Sequence, residues 1–183
     1  MTVEAAERTT SGLEYLQRIV RGELPGVPIG ATLGFRVTEV ENGRVVVTGN
    51  PDQRSYNLIG TVHGGWAAAV LDSALALSTL STLDANQAFT TVDIRINYLR
   101  PLTVETGEVR AEGRVLQGGR RLAYCEARLT DSAGKLIAHG TGSCLIPARH
   151  RCRPNSPQLH LRLTCPPAQL AEPCEKASDI LGG

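Results

Sequence analysis

Aromatic residues make up only 4% of this 183-residue chain, so its core must be assembled from Ala, Val, Leu and Ile rather than from large rings. Long apolar runs are scarce too. The longest, Trp66 to Leu71, holds six residues, against the roughly 20 that a membrane-spanning helix needs. No excess of one charge exists: 19 Lys and Arg face 18 Asp and Glu, for a net charge of +1. That balance offers no field to hold a nucleic-acid backbone or an anionic membrane, so neither is an expected partner. The start, Met1-Thr-Val-Glu-Ala-Ala-Glu-Arg, lacks the basic stretch and apolar segment of an export signal, which makes the cytoplasm the expected location. Cysteines are few and odd in number (Cys125, Cys144, Cys152, Cys165 and Cys174), which argues against a disulfide framework and for free thiols. The last three, with His150 and His160, lack the closely spaced Cys pair of a zinc knuckle, so no metal and no cofactor are expected.

With 42% hydrophobic and 20% charged residues, the chain has the composition of one folded domain. Three segments are expected. Residues 1–28 form a lead-in with a short amphipathic helix, from Leu13, Leu16, Ile19 and Val20 at helical spacing. Residues 29–147 form the main domain. Residues 148–183 form a tail, since six of the ten prolines and three of the five cysteines lie after Ile146 without a hydrophobic period.

Within the main domain, Leu33 to Glu41 and Arg44 to Thr48 flank Asn42-Gly43, a strong hairpin signal. Val92, Ile94, Ile96 and Tyr98 alternate with Thr91, Asp93, Arg95 and Asn97, which predicts a strand with one buried and one polar face. Glu108 to Leu116, Leu122 to Thr130 and Lys135 to Ile146 follow, separated by Gly118-Gly119 and Asp131-Ser-Ala-Gly134. The four strands are expected to form a meander. Between hairpin and meander, Gly64 to Leu83 is rich in Ala and Leu and apolar on nearly every side, which predicts a long buried helix. The fold class that follows is α+β, an antiparallel sheet of about six strands wrapped around one central helix.

Only two ionisable side chains fall between Val62 and Leu83: His63 at the helix entry and Asp72 inside it. An unpaired buried carboxylate costs several kcal/mol, so Asp72 is either a structural acceptor for a sheet side chain such as Arg95 or a group kept for chemistry. Gly64-Gly65 stands where backbone N–H groups have no intrahelical acceptor and face the positive end of the helix dipole. The pair reads as an oxyanion site or as a plain tight turn. Asn57, in the preceding loop, reads as a turn residue or as a catalytic amide. Asp72 lies nine residues beyond His63, about 13 Å along a helix, too far for both to serve one carbonyl within one chain. Two antiparallel helices across a twofold axis would bring Asp72 of one chain to the Gly64-Gly65 end of the other, which predicts a homodimer.

Taken together, Asn57-x5-His63-Gly64-Gly65-x6-Asp72, the segment Thr90 to Pro101 and the segment Asp131 to His139 resemble the hotdog-fold acyl-CoA thioesterases of the phenylacetate-pathway and 4-hydroxybenzoyl-CoA type. The resemblance spans about residues 29–147. It implies a hotdog fold, dimers that often pair into tetramers, and hydrolysis of an acyl-CoA thioester without a cofactor. It implies further that Asp72 is the catalytic carboxylate, as base or as nucleophile, that Gly64 or Gly65 is the oxyanion donor, and that Asn57 and His63 position thioester or water. Some members carry a hydroxyl one helical turn beyond the carboxylate, where this chain has Ala76; Ser73 is the only adjacent hydroxyl. Arg100, Arg120 and Arg121 are candidates for the coenzyme A phosphates, or ordinary solvated turn charges, and Trp66 is a candidate wall of the acyl pocket or simply core. The same fold admits two other functions as alternatives. A non-catalytic acyl-CoA binding or sensing module would be expected to lack the carboxylate. A hotdog hydratase would need a differently placed Asp/His pair.

Overall fold

The computed structural model describes residues 8–147. The proposed tail, with Cys152, Cys165, Cys174, His150 and His160, lies outside the described residues. Elements run in the order α1 (Gly12–Val20), α2 (Pro28–Leu33), β1 (Phe35–Glu41), β2 (Arg44–Gly49), α3 (Gly64–Leu80), β3 (Thr90–Tyr98), β4 (Val109–Gly118), β5 (Leu122–Asp131) and β6 (Leu136–Leu145). The predicted helices and strands are all present. The additional α2 starts at Pro28, whose fixed φ suits a first helical turn, and ends at Gly34 with φ 74°. It takes the residues before Phe35 that the hydrophobic pattern had assigned to the first strand.

The expected antiparallel sheet of about six strands is present, and among the described residues its six strands run in the order β1-β2-β4-β5-β6-β3. Asn42-Gly43 turns β1 into β2, with Gly43 at φ 76°. The expected four-strand meander is corrected in one respect. Strands β4, β5 and β6 follow one another, but β3 crosses to the far edge and, among the described residues, pairs only with β6. The connection from Leu99 to Glu108 is too long for a tight hairpin, and its Leu99 and Arg100 N–H groups donate to the Ile137 carbonyl instead.

Helix α3 packs across β2, β4, β5 and β6 of this sheet. Val70, Leu71, Ala74 and Leu75 are fully buried against Val45, Val47, Ala111, Ala127 and Leu129, each large side chain contributing about 2 kcal/mol of apolar burial. Helix and sheet meet at backbone distance. A Cβ on Gly113 of β4 would overlap the Ala74 carbonyl, so only glycine permits this contact. Helix α1 is capped by Ser11, buries Leu16 completely, and is tied to the end of α3 by Gly12 N–H donating to the Leu83 carbonyl at 2.8 Å.

Strand β3 departs from simple alternation. A bulge between Thr91 and Asp93 inserts Val92 as an extra residue. Thr91 pairs with the buried Cys144 and faces inward, and Ile94 resumes the inward face after the bulge. Val92 and Tyr98, both expected on the buried face, are each 53% exposed because β3 is an edge strand.

Candidate functional site

The loop that enters α3 is built by Asn57. Its side-chain oxygen accepts from the Ile59 and Thr61 N–H groups at 3.0 and 3.2 Å, and its amide nitrogen donates to Thr61 Oγ1 at 2.9 Å. The turn reading of Asn57 therefore describes its observed bonds. The loop it closes exposes Leu58 and Ile59 and delivers His63 to the helix start, where His63 N–H donates to the Ser55 carbonyl at 2.7 Å.

His63 is the N-cap of α3: its Nδ1 accepts from Gly65 N–H at 2.8 Å. That bond separates the two candidate oxyanion donors. Gly65 N–H is already taken, whereas Gly64 N–H has no acceptor among the described residues and points from the positive end of a 17-residue helix. A side chain at either glycine would crowd a neighbouring ring. A Cβ at Gly65 would stand 2.9 Å from His63 Nδ1, and one at Gly64 would stand 3.2 Å from the Tyr98 ring. Gly64 opens onto a cleft of about 350 Å³ bordered by Tyr98, Arg100 and Leu102.

Asp72 is half-buried eight residues further on, about 12 Å along the helix. Its carboxylate accepts from Thr91 Oγ1 at 2.9 Å, across from the bulge of β3, rather than from Arg95. It opens onto a second cleft, of about 470 Å³, between Ala68 and Ala69 of the helix and Val92 to Ile94 of the strand. Ala76 offers no hydroxyl, and the hydroxyl that bonds the carboxylate comes from β3. Alternation alone could not place Thr91 there, because the bulge reverses the strand's phase.

Two further candidates are engaged locally. Ser73 Oγ donates to the Ala69 carbonyl of its own helix at 2.8 Å. Trp66 is 3% exposed and its indole N–H donates to the Leu33 carbonyl at 2.8 Å, which ties α3 to α2; it borders neither the Gly64 nor the Asp72 cleft. The arginines do not form one cluster in this chain. Arg100 N–H bonds to Ile137 near the start of β6, and the Arg121 carbonyl accepts from Ile146 N–H just past its end, nine residues apart and so about 30 Å at opposite ends of the sheet. Arg100 borders the Gly64 cleft. Arg120 and Arg121 sit at the end of the sheet where β3 begins, the end that carries Thr91.

A helix N-terminus with an open N–H, and on the same helix an isolated carboxylate held by a strand hydroxyl, is an arrangement suited to hydrolysis of an activated carbonyl. Residues 59–138 match the Thioesterase superfamily, and the chain belongs to that family. Acyl-coenzyme A thioesterase 13 of Homo sapiens is 29% identical over 134 residues, 72% of this chain and 94% of that protein. The solved structure of a phenylacetic acid degradation-related protein from Ralstonia eutropha JMP134 superposes with a TM-score of 0.65 at 30% identity, covering 72% of this chain and 98% of that one. A structure from Streptococcus mutans bound to acetyl CoA has a TM-score of 0.57 at 25% identity, covering 63% of this chain and 90% of that one. These likenesses make the chain a thioesterase-type enzyme on a hotdog fold.

Proposed function

We propose that the chain hydrolyses acyl-CoA thioesters to the free acid and coenzyme A, at sites completed by two copies of the chain. The observation that carries the reading is the division of the chemistry along α3. The open Gly64 N–H and the Asp72 carboxylate belong to separate clefts, about 12 Å apart on one rigid helix. An antiparallel pairing of two such helices joins the Gly64 cleft of one copy to the Asp72 cleft of the other and yields two equivalent sites. The surface for such pairing is present. Among the described residues strand β3 is hydrogen-bonded on one side only, and its half-exposed Tyr98 and Val92 border the Gly64 and Asp72 clefts respectively. A homodimer is the minimal assembly, and a tetramer is a dimer of such dimers.

In this site Gly64 N–H donates a hydrogen bond to the thioester oxygen as negative charge develops on it, aided by the helix dipole. Asp72 takes a proton from the attacking water, or attacks the carbonyl itself to give a mixed anhydride that water then opens. In either course the carbon–sulfur bond breaks and coenzyme A leaves as a thiolate that is then protonated. Thr91 holds Asp72 in place. His63 and Asn57 act through the backbone: one caps the helix and the other fixes the loop that presents it. Arg100 of one copy and Arg120 or Arg121 of the other flank the joined clefts as candidates for the coenzyme A phosphates. The relatives that act on or bind acyl-CoA support this substrate class.

The test is release of free thiol from a panel of short, medium, branched and aromatic acyl-CoAs. Wild-type protein should turn over at least one of them, and Asp72→Asn should lower kcat by about a hundredfold or more with fold and assembly intact. If Asp72 were only a structural acceptor, Asp72→Asn would instead lose about 1 to 3 kcal/mol of stability with activity per folded molecule unchanged.

A further inference from the structure

The peptide unit joining Gly64 to Gly65 is held from both sides. Its N–H donates to His63 Nδ1 at 2.8 Å, and its carbonyl accepts the Tyr98 hydroxyl, from the far end of β3, at 3.0 Å. The preceding peptide, His63 to Gly64, carries the open N–H, and its own carbonyl accepts Trp66 N–H at 2.9 Å. The two planes meet at the Cα of Gly64, where a glycine lets them turn against each other with little steric resistance. An oxyanion donor is effective only if it is aimed before charge develops, because reorienting it during the reaction costs part of what the bond returns. A glycine at the donor position therefore calls for an external restraint on the adjoining plane.

Tyr98 supplies one. Its ring occupies the space a side chain at position 64 would fill, with Cζ 3.2 Å and the hydroxyl oxygen 3.4 Å from where a Cβ would stand. The residue is half exposed on an edge strand, so core burial does not account for the hydroxyl, whose recorded bond is to Gly64. Both residues border the same cleft of about 350 Å³. We propose that Tyr98 is a positioning residue: its hydroxyl fixes the Gly64 carbonyl so that, together with the His63 cap, the Gly64 N–H is held toward the reacting carbonyl oxygen. This proposal rests on the thioesterase reading of the site and adds a residue to it that contributes no atom to the reaction.

Tyr98→Phe tests it, because the ring and its packing stay and only the hydroxyl goes. Loss of one neutral hydrogen bond predicts a kcat lower by about three- to tenfold, with KM within about twofold, assembly intact and the melting temperature lowered by no more than that one bond accounts for. The same substitution in a His63→Ala background should have a smaller effect on kcat, since the two side chains restrain one peptide and their contributions are not independent. Wild-type kcat in Tyr98→Phe, while Asp72→Asn is inactive, would overturn the role of Tyr98 and leave the thioesterase reading standing. A raised KM with unchanged kcat would overturn it as well, making the phenol a substrate contact. A wild-type chain inactive on every acyl-CoA of the panel would remove the thioesterase reading and this proposal with it.

Discussion

Adding one methyl group at Gly65 sets two known effects against each other. Glycine to alanine within a helix stabilises by up to about 1 kcal/mol. Here, however, the new Cβ would stand 2.9 Å from His63 Nδ1 and 3.4 Å from its Cε1, so the imidazole must swing away and its bond to Gly65 N–H is lost. An N-cap is itself worth about 1 kcal/mol. Gly65→Ala should therefore unfold within about 0.5 kcal/mol of wild type, where the propensity gain alone would have raised stability. His63→Ala loses the cap with no compensating gain and should fall by about 1 kcal/mol. Both variants free one side of the peptide beside the proposed donor, so both should lose turnover despite their different stabilities. Urea unfolding at matched protein concentration, which removes the mass-action effect of assembly, gives the first comparison, and steady-state kinetics the second. A Gly65→Ala protein that gains the full helix-propensity increment and keeps wild-type kcat would refute the argument, since it would mean that the imidazole does not cap this helix.

Thr91→Val removes the hydroxyl bonded to Asp72 at nearly constant volume; kcat should fall about tenfold, the size of one hydrogen bond to a charged group, and an unchanged kcat would show that Asp72 needs no such support. A second expectation concerns acid stability. Burial pushes the Glu112 carboxyl up, but hydrogen bonds from Arg44, Arg110 and Arg114 outweigh it and hold the group at about 2, below its ordinary 4.5. A carboxylate held below its unfolded value stabilises fully above that value and loses the contribution as pH falls through the folded one. Glu112→Gln should therefore cost about 1 to 3 kcal/mol at pH 7, the lower part of the range because two of the arginines are substantially exposed, with the difference from wild type shrinking between about pH 5 and pH 2. Urea unfolding at several pH values checks this, and a pH-independent difference would contradict it.

Much of the fold was legible because its signals are local. Asn42-Gly43, the alternation along β4 to β6 and the all-apolar α3 each specify an element without reference to the rest of the chain. What escaped the sequence depends on pairing. Nothing in residues 90–98 says that β3 crosses the sheet to pair with β6, and the bulge at Val92 breaks the alternation that assigned Thr91 to the polar face. The Gly64-Gly65 pair was visible as a helix start. Which of its two donors is open depended on His63 folding back over Gly65, a contact set by the N-cap rotamer rather than by spacing. Gly113 carried no recognisable signal, since its reason is the Ala74 carbonyl lying directly over it.

In the proposed site the carboxylate comes from one chain and the oxyanion donor from another, and subunit mixing tests that sharing. Asp72→Asn chains and chains with Gly64→Val should each form folded, inactive homodimers. A heterodimer of the two contains one site with both wild-type groups and one with neither, so it should show about half the wild-type turnover per dimer if the site is shared across the twofold axis. Verified, folded heterodimers with no activity would contradict the shared site and place Asp72 and Gly64 of a working centre in a single chain.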